Sequence, residues 1–290
     1  MIFLQKKMIK VENLSYTYPK SSGPTLKNLN FAIDKGEVFG FLGPSGAGKS
    51  TTQKVLYKIL TKFDGKVSID NKTLDDWGND YFERIGVGFE LPNHYLKLTA
   101  KENLELFASF YPNENIRDFG ELFEIVGLED SRNQRVQEFS KGMSMRLNYI
   151  RAIMHNPDIL FFDEPTAGLD PINAQKIKRD ISKLRDEGKT IFVTTHDMAT
   201  ADELCDRVSF IVDGKIRLTE NPGVLKREHG RHAVKVELAN QATKEFPVEG
   251  LGNNPEFLEF IKQDEISSIS TQEATLEEVF IKVTGKRLKE

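Results

Sequence analysis

Val38-Phe-Gly-Phe-Leu42 runs without a break into Gly43-Pro-Ser-Gly-Ala-Gly48-Lys49-Ser50-Thr51, and Val55, Leu56, Ile59 and Leu60 follow at helical spacing. A short apolar run bounded by glycine reads as a buried strand, and the i, i+1, i+4, i+5 apolar set reads as one helix face. The segment is therefore strand, loop, helix. Gly43, Gly46 and Gly48, with Pro44, Ser45 and Ala47 between them, let backbone N–H groups close on an anion at which the next helix points its positive end. Lys49 is expected to reach the β- and γ-phosphates of a nucleoside triphosphate and Ser50 to ligate Mg²⁺, with Thr51 beside them in the first helical turn.

Outward from this segment, residues 8–40 alternate polar and apolar positions around turn signals at Tyr18-Pro19-Lys20-Ser-Ser-Gly23-Pro24 and Asp34-Lys35-Gly36, the pattern of antiparallel strands. Residues 97–155 read as mainly helical and open on Thr99-Ala-Lys-Glu102, a reciprocal capping pair. Strand 159–162, a helix at about 173–187 with Ile177, Ile181 and Leu184 on one face, and strand 190–195 resume the alternation that builds a mostly parallel sheet. Val208–Leu218 holds two apolar runs around Asp213-Gly214, a hairpin signal. A separate unit is expected beyond Pro222, with strands near 233–238 and 266–270 and a last helix capped by Thr275 with Leu276, Phe280 and Val283 on its apolar face. Residues before Met8 read as a short extension without structural duty.

The expected fold class is α/β: a P-loop core with a mostly parallel sheet, an antiparallel N-terminal β subdomain, an inserted helical subdomain and a small α+β C-terminal extension. A nucleotide-binding domain is expected over 8–225, with its helical part at about 97–155, and a small domain over 226–290.

With 290 residues and 39% apolar composition the chain can fill a conventional core, and a net charge of −4 gives no electrostatic reason to bind nucleic acid. One cysteine, Cys205, excludes an internal disulfide and reads as a small core residue. No apolar run approaches the roughly 20 residues that cross a bilayer.

Ile159-Leu-Phe-Phe-Asp163-Glu164-Pro165 ends an apolar strand on two carboxylates. Because a strand alternates its side chains, Asp163 is expected to face the metal through water and Glu164 to act as general base toward an attacking water. With Phe139-Ser140-Lys141-Gly142-Met143, Gly168-Leu-Asp170 and Thr195-His196-Asp197 in order behind the loop, the chain resembles the nucleotide-binding subunit of ATP-binding cassette (ABC) transporters over residues 8–225. The resemblance implies ATP and Mg²⁺ as ligands, an aromatic on adenine at Tyr18 (Tyr16 being the close competitor), contact of Ser140 and Gly142 with a neighbour's ATP, a dimer contact at Asp170, and a γ-phosphate contact for His196. It also implies two partners: a second ATP-binding subunit, identical or not, and an integral membrane permease that holds this subunit on the cytoplasmic face of the cell membrane. Residues 90–105, with Leu91, Tyr95 and Leu96, are the expected docking surface for the permease.

Two departures stand out. The family signature Leu-Ser-Gly-Gly-Gln is here Phe139-Ser-Lys-Gly-Met143, which keeps the serine and the second glycine. The family's glutamine between the subdomains is here Glu90, which either ligates magnesium or turns away, and whose charge near the γ-phosphate is unfavourable unless the metal or Lys49 offsets it. The tail Thr275-Leu-Glu-Glu-Val-Phe280 and the Ser-Lys-Gly-Met variant are similar to exporter cassettes of the daunorubicin-resistance type, which implies export. The rivals are a soluble cassette ATPase on ribosomes or DNA, opposed by a single phosphate loop and an acidic balance, and a regulatory cassette with weak hydrolysis.

Overall fold

The computed structural model describes residues 6–229, 233–272 and 274–287, so the extension expected before Met8 lies, over 1–5, outside the described residues. In chain order the strands and helices are β1 (Lys7–Tyr16), β2 (Leu26–Asp34), β3 (Val38–Leu42), α1 (Lys49–Leu56), β4 (Asp64–Ile69), β5 (Lys72–Thr73), α2 (Asp80–Arg84), β6 (Ile85–Gly88), α3 (Ala100–Ala108), α4 (Phe119–Val126) and α5 (Lys141–Ile153). Then follow β7 (Ile159–Asp163), α6 (Pro171–Asp186), β8 (Thr190–Thr195), α7 (Met198–Leu204), β9 (Arg207–Val212), β10 (Lys215–Glu220), α8 (Pro222–His229), β11 (Ala233–Leu238), β12 (Thr243–Pro247), α9 (Pro255–Phe260), β13 (Ile266–Gln272) and α10 (Leu276–Thr284). Two compact units divide between Thr219 and Glu220.

In the first unit, β3, β7 and β8 are fully buried apolar strands, so they can only sit inside a sheet covered on both faces. They lie in a six-stranded sheet of order β10-β9-β3-β8-β7-β6, in which the β3–β8, β3–β9, β7–β8 and β6–β7 pairs are parallel. Half-buried β1 and β2 instead pair antiparallel in a second sheet of order β2-β1-β4-β5. The two sheets share one core, where Phe31 of β2 stacks on Phe39 at 5.8 Å and Phe192 packs against both Phe39 (6.0 Å) and Phe41 (5.4 Å). Burial of each such ring stabilises the fold by about 1.5–3 kcal/mol, which fixes β3 firmly beneath the loop that follows it.

Turn chemistry sets the edges. Asp213 and Gly214 both take positive φ (52° and 75°), the primed turn that folds β10 back on β9. Gly214 then accepts from Lys27 N (2.8 Å) and donates to Ala47 O (3.1 Å), so the hairpin tip props the loop 43–48. Between β6 and β7 the chain inserts α3, α4 and α5; Thr99 and Glu102 form the expected capping box on α3, and Ser140 caps α5.

The second unit is a three-stranded sheet of order β12-β11-β13, antiparallel throughout. Val234, Val236 and Leu238 of β11 pack with Phe246 of β12 and Phe260 of α9. Thr275 caps α10 with Glu278 in a capping box, and Leu276, Val279 and Phe280 are its buried residues. Val283, expected on that buried face, is only half-buried, because the buried stripe runs through Val279 instead. Strand β12 and helices α8 and α9 were not among the expected elements.

Candidate functional site

Parallel strands bring their carboxyl ends to one edge, and the register places Leu42 opposite Thr195, Asp163 opposite Thr194 and Gly88 opposite Phe162. Ligands of open parallel sheets settle at that edge. Gly43 begins the loop there; a Cβ on it would lie 2.1 Å from Ile211 O, so only glycine lets the chain turn this close to β9. Gly48, at φ 109°, is N-cap to α1 and offers no side chain, so the helix's opening N–H groups receive no side-chain cap. That leaves them aimed at an outside acceptor.

Lys49 is buried, and its Nζ donates to Gly43 O (2.7 Å) and Pro44 O (3.1 Å) within the loop. Burial lowers its pKa, and the negative charges of Glu164, Asp163 and Glu90, in that order, oppose the shift. The charges of three carboxylates therefore favour the protonated form of this one ammonium. Tyr18 donates to or accepts from Thr51 Oγ1 at 3.2 Å, which sets its half-buried ring beside α1, while the competitor Tyr16 is buried in the core and meets Tyr18 edge-on at 4.9 Å.

Asp163, at the end of β7, accepts from the Thr194 hydroxyl. Glu164 is held in left-handed backbone at φ 52°, a strained conformation for a glutamate that points to function. Its Oε1 accepts from the His196 backbone N–H (2.9 Å) and from His196 Nδ1 (2.6 Å), and its Oε2 accepts from the Thr195 hydroxyl (2.9 Å). Each carboxylate oxygen has two lone pairs, so Oε2 keeps one acceptor position open. The adjacent carboxylates thus have separate partners, but not through strand alternation as expected: Asp163 is the last residue of β7, and Glu164 is turned aside by its own left-handed backbone.

A second group lies at the start of α5. Ser140 is exposed and accepts from Met143 N (3.2 Å). Gly142 packs on the next loop, where an added Cβ would come within 3.6 Å of Leu169 and 3.7 Å of Gly168 O, and Asp170 caps α6 by accepting from Asn173 N at 3.0 Å. Among the described residues Ser140, Gly142 and Asp170 form no hydrogen bond with residues 43–51 or with Glu164.

Several residues that shape the site were not singled out from sequence. Thr194 and Thr195 hold the two carboxylates, and Gln53 Nε2 donates to Phe162 O at 3.0 Å beneath Asp163. The signal for the threonines was present: two hydroxyls ending an apolar strand just before His196. Asn148 Nδ2 donates to Phe89 O (2.8 Å) and Arg151 donates to Asn93 O (2.6 Å), so α5 grips the loop that carries Glu90.

The sequence profile described as ABC transporter matches residues 26–167, and one described as fluoroquinolone efflux ABC transporter C-terminal domain matches residues 232–273. A fluoroquinolones export ATP-binding protein of Mycobacterium tuberculosis is 48% identical over 285 residues, covering 97% of this chain and 94% of that protein. The chain belongs to the ABC transporter family. The bacitracin transport ATP-binding protein BcrA of Bacillus licheniformis is 34% identical over 81% of this chain and 76% of its own length. Among solved structures, the dimeric post-hydrolysis state of the ATP-binding cassette MJ0796 bound to ADP and Pi matches with TM-score 0.67 and 31% identity, over 74% of this chain and 98% of that one. As an ABC transporter subunit of the exporter branch, the chain binds and hydrolyses ATP. Its fold is the P-loop cassette with a C-terminal extension.

By their chemistry, the residues expected to hold Mg²⁺, Ser50, Asp163 and Glu90, offer one hydroxyl and two carboxylates, donor types that suit a hard divalent cation; among the described residues no group of three or more histidine, cysteine, aspartate or glutamate side chains forms a metal cluster. No helix among the described residues is long and apolar enough to cross a membrane.

Proposed function

We propose that residues 8–225 work as one half of an ATP-driven pair: the loop 43–48, Lys49, Ser50 and Thr51 hold the triphosphate of one protomer, and Ser140, Gly142 and Asp170 of a second copy close over it. The observation that carries this reading is the uncapped start of α1 beside a buried lysine whose ammonium is held within the loop by Gly43 O and Pro44 O. Ser140 supports it by being exposed at a helix start with no tie to the loop of its own protomer, so its free face suits a neighbour's phosphate.

In this scheme Tyr18 stacks on adenine, Ser50 and Asp163 hold Mg²⁺ (Asp163 through water) with Glu90 beside them, and Glu164 Oε2 takes the proton of the attacking water. Magnesium supplies charge neutralisation at the β- and γ-phosphates when bound. His196 is positioned by Glu164 through Nδ1, which leaves Nε2 toward the γ-phosphate. Closure of the pair excludes water from the charges it brings together, and hydrolysis separates them.

The partner that converts closure into transport is a permease seated on the surface around the Glu90 loop. Leu91, Tyr95 and Leu96 are exposed there, and a cleft of about 380 Å³ lined by Ile59, Phe82, Val87, Phe89 and Phe107 opens beside them. Such an apolar cleft fits a short amphipathic segment, and in this scheme docking there holds the subunit at the inner face of the cell membrane. The names of the 48% relative and of the C-terminal profile favour a fluoroquinolone-class cargo. Lys49→Ala tests the reading: ATP binding falls by about tenfold or more and turnover disappears, since a charge-assisted contact contributes about 1.5–3 kcal/mol. Undiminished turnover would remove the phosphate-loop assignment.

A further inference from the structure

Tyr149 and Asp180 form a buried polar pair that the phosphate loop does not use. The Tyr149 hydroxyl donates to Asp180 Oδ2 at 2.7 Å, and both residues are buried. Burial, and then the charge of Asp180, push the Tyr149 hydroxyl up, so the proton stays on the tyrosine and the bond keeps one sense. The Tyr149 ring also stacks on Phe162 at 5.1 Å, one residue before Asp163. Polar groups are costly to bury, and two apolar side chains would fill the same space without that cost.

The helices that carry the pair both start at residues assigned to the neighbour's nucleotide. Tyr149 lies on α5, nine residues after its cap Ser140, and Asp180 lies on α6, ten residues after its cap Asp170. At 1.5 Å per residue the bond sits about 14 Å along one helix and about 15 Å along the other. At the capped ends Gly142 packs on Gly168 and Leu169, and a Cβ on Gly168 would come within 3.4 Å of Lys141 Cε. The two helices therefore run side by side, with Ser140 and Asp170 at the same end. Among the described residues the Tyr149–Asp180 bond is the only hydrogen bond or ion pair between them. Arg146, between that bond and the cap, donates instead to Val126 O (2.6 Å) and Gly127 O (2.9 Å) at the end of α4. Van der Waals packing tolerates a small slide of one helix along another, whereas a hydrogen bond weakens steeply off its axis.

We propose that the Tyr149–Asp180 bond fixes the register of α5 against α6, so that Ser140 and Asp170 meet a second copy as one preformed surface. This rests on the paired reading above. A bond that only held the fold would count equally in monomer and pair and leave their balance unchanged. A bond that presets the two caps lowers the ordering cost of closure, once in each protomer.

The test uses the full chain carrying Glu164→Gln, with pairing read by light scattering across protein concentrations in saturating ATP and Mg²⁺. Tyr149→Phe removes the bond and keeps the ring; Asp180→Asn keeps an acceptor oxygen for the hydroxyl. At a factor of about three in each protomer, Tyr149→Phe is expected to raise the dissociation constant of the pair by about tenfold, with Asp180→Asn within about threefold of the parent. ADP binding by the monomer, followed by calorimetry, should not change in either variant. A lower urea midpoint with an unchanged dissociation constant overturns the inference, since the bond then only holds the fold. An Asp180→Asn variant as weak as Tyr149→Phe also overturns it, as does a loss of ADP binding equal to the loss of pairing. Should Tyr149→Phe not fold, Tyr149→Phe joined to Asp180→Leu leaves no unmet buried group and carries the same expectation. A parent that stays monomeric in ATP overturns the paired reading and the inference together.

Discussion

His94 and His155 are buried, and each uses Nε2 toward a backbone carbonyl, Ser144 O at 3.1 Å and Ile85 O at 2.8 Å, while the Nδ1 of each is buried without a hydrogen-bond partner among the described residues. A proton added to Nδ1 would find no acceptor there. Burial pushes both pKa values down from 6.5 to about 4, helped by the Arg151 charge at His94 and the Lys189 charge at His155, while the Ile85 carbonyl works against the shift at His155. The unfolded chain therefore binds more protons than the folded one between about pH 6.5 and pH 4, so stability rises with pH across that window and is lost as pH falls through it. From pH 7 to pH 5 each histidine is expected to cost about 2 kcal/mol, following 1.36 kcal/mol per pKa unit. Glutamine at both positions keeps an N–H for the carbonyl and cannot titrate. Urea unfolding at pH 7, 6 and 5 should show the wild type losing about 3–4 kcal/mol more than the His94→Gln/His155→Gln variant. Equal losses in the two proteins would refute the reasoning, because carboxylate titration is common to both.

Two further perturbations probe the frame around the site. A Cβ at Gly86 would lie 2.0 Å from Ala152 O, so Gly86→Ala must force β6 away from α5 and should destabilise by about 2 kcal/mol or more in urea unfolding; a change below about 0.5 kcal/mol would contradict that packing. Arg151 donates to Asn93 O (2.6 Å) and to Asn148 Oδ1 (2.8 Å) and lies over the Phe107 ring at 4.7 Å. Arg151→Met leaves both oxygens unmet, so about 3 kcal/mol of stability should go and amides 89–95 should exchange faster with deuterium; unchanged exchange would show that the latch does not hold the loop.

The parts of the fold that were legible in sequence are those whose cause is local. Glycines before Lys49, the Asp213-Gly214 turn, the Thr99 and Thr275 caps and the apolar runs of β3, β7 and β8 each carry their signal within a few residues. Strand β12 hid because only Phe246 of its five residues is buried, which gives no alternation to read, and α9 because six residues make less than two turns. The site followed the same rule. Lys49, Asp163, Glu164 and His196 could be read from motifs, but Thr194 to Asp163 and Thr195 to Glu164 join residues 31 apart, and Asn148 to Phe89 joins residues 59 apart. Such partners exist only once parallel strands and the inserted helix bring them together. The family resemblance alone sets Tyr18 ahead of Tyr16, and the fold adds a local difference the sequence does not carry: Tyr16 is buried in the core and Tyr18 is half-buried.

The paired arrangement is tested most directly by Glu164→Gln. The amide keeps Oε1 for the two His196 donors and turns its NH₂ to the Thr195 hydroxyl, which can rotate to accept, so the local geometry survives while the proton acceptor is lost. Light scattering on the purified variant with saturating ATP and Mg²⁺ should then give twice the monomer mass, falling back to monomer when ATP is replaced by ADP. A variant that stays monomeric with ATP bound would contradict the shared site.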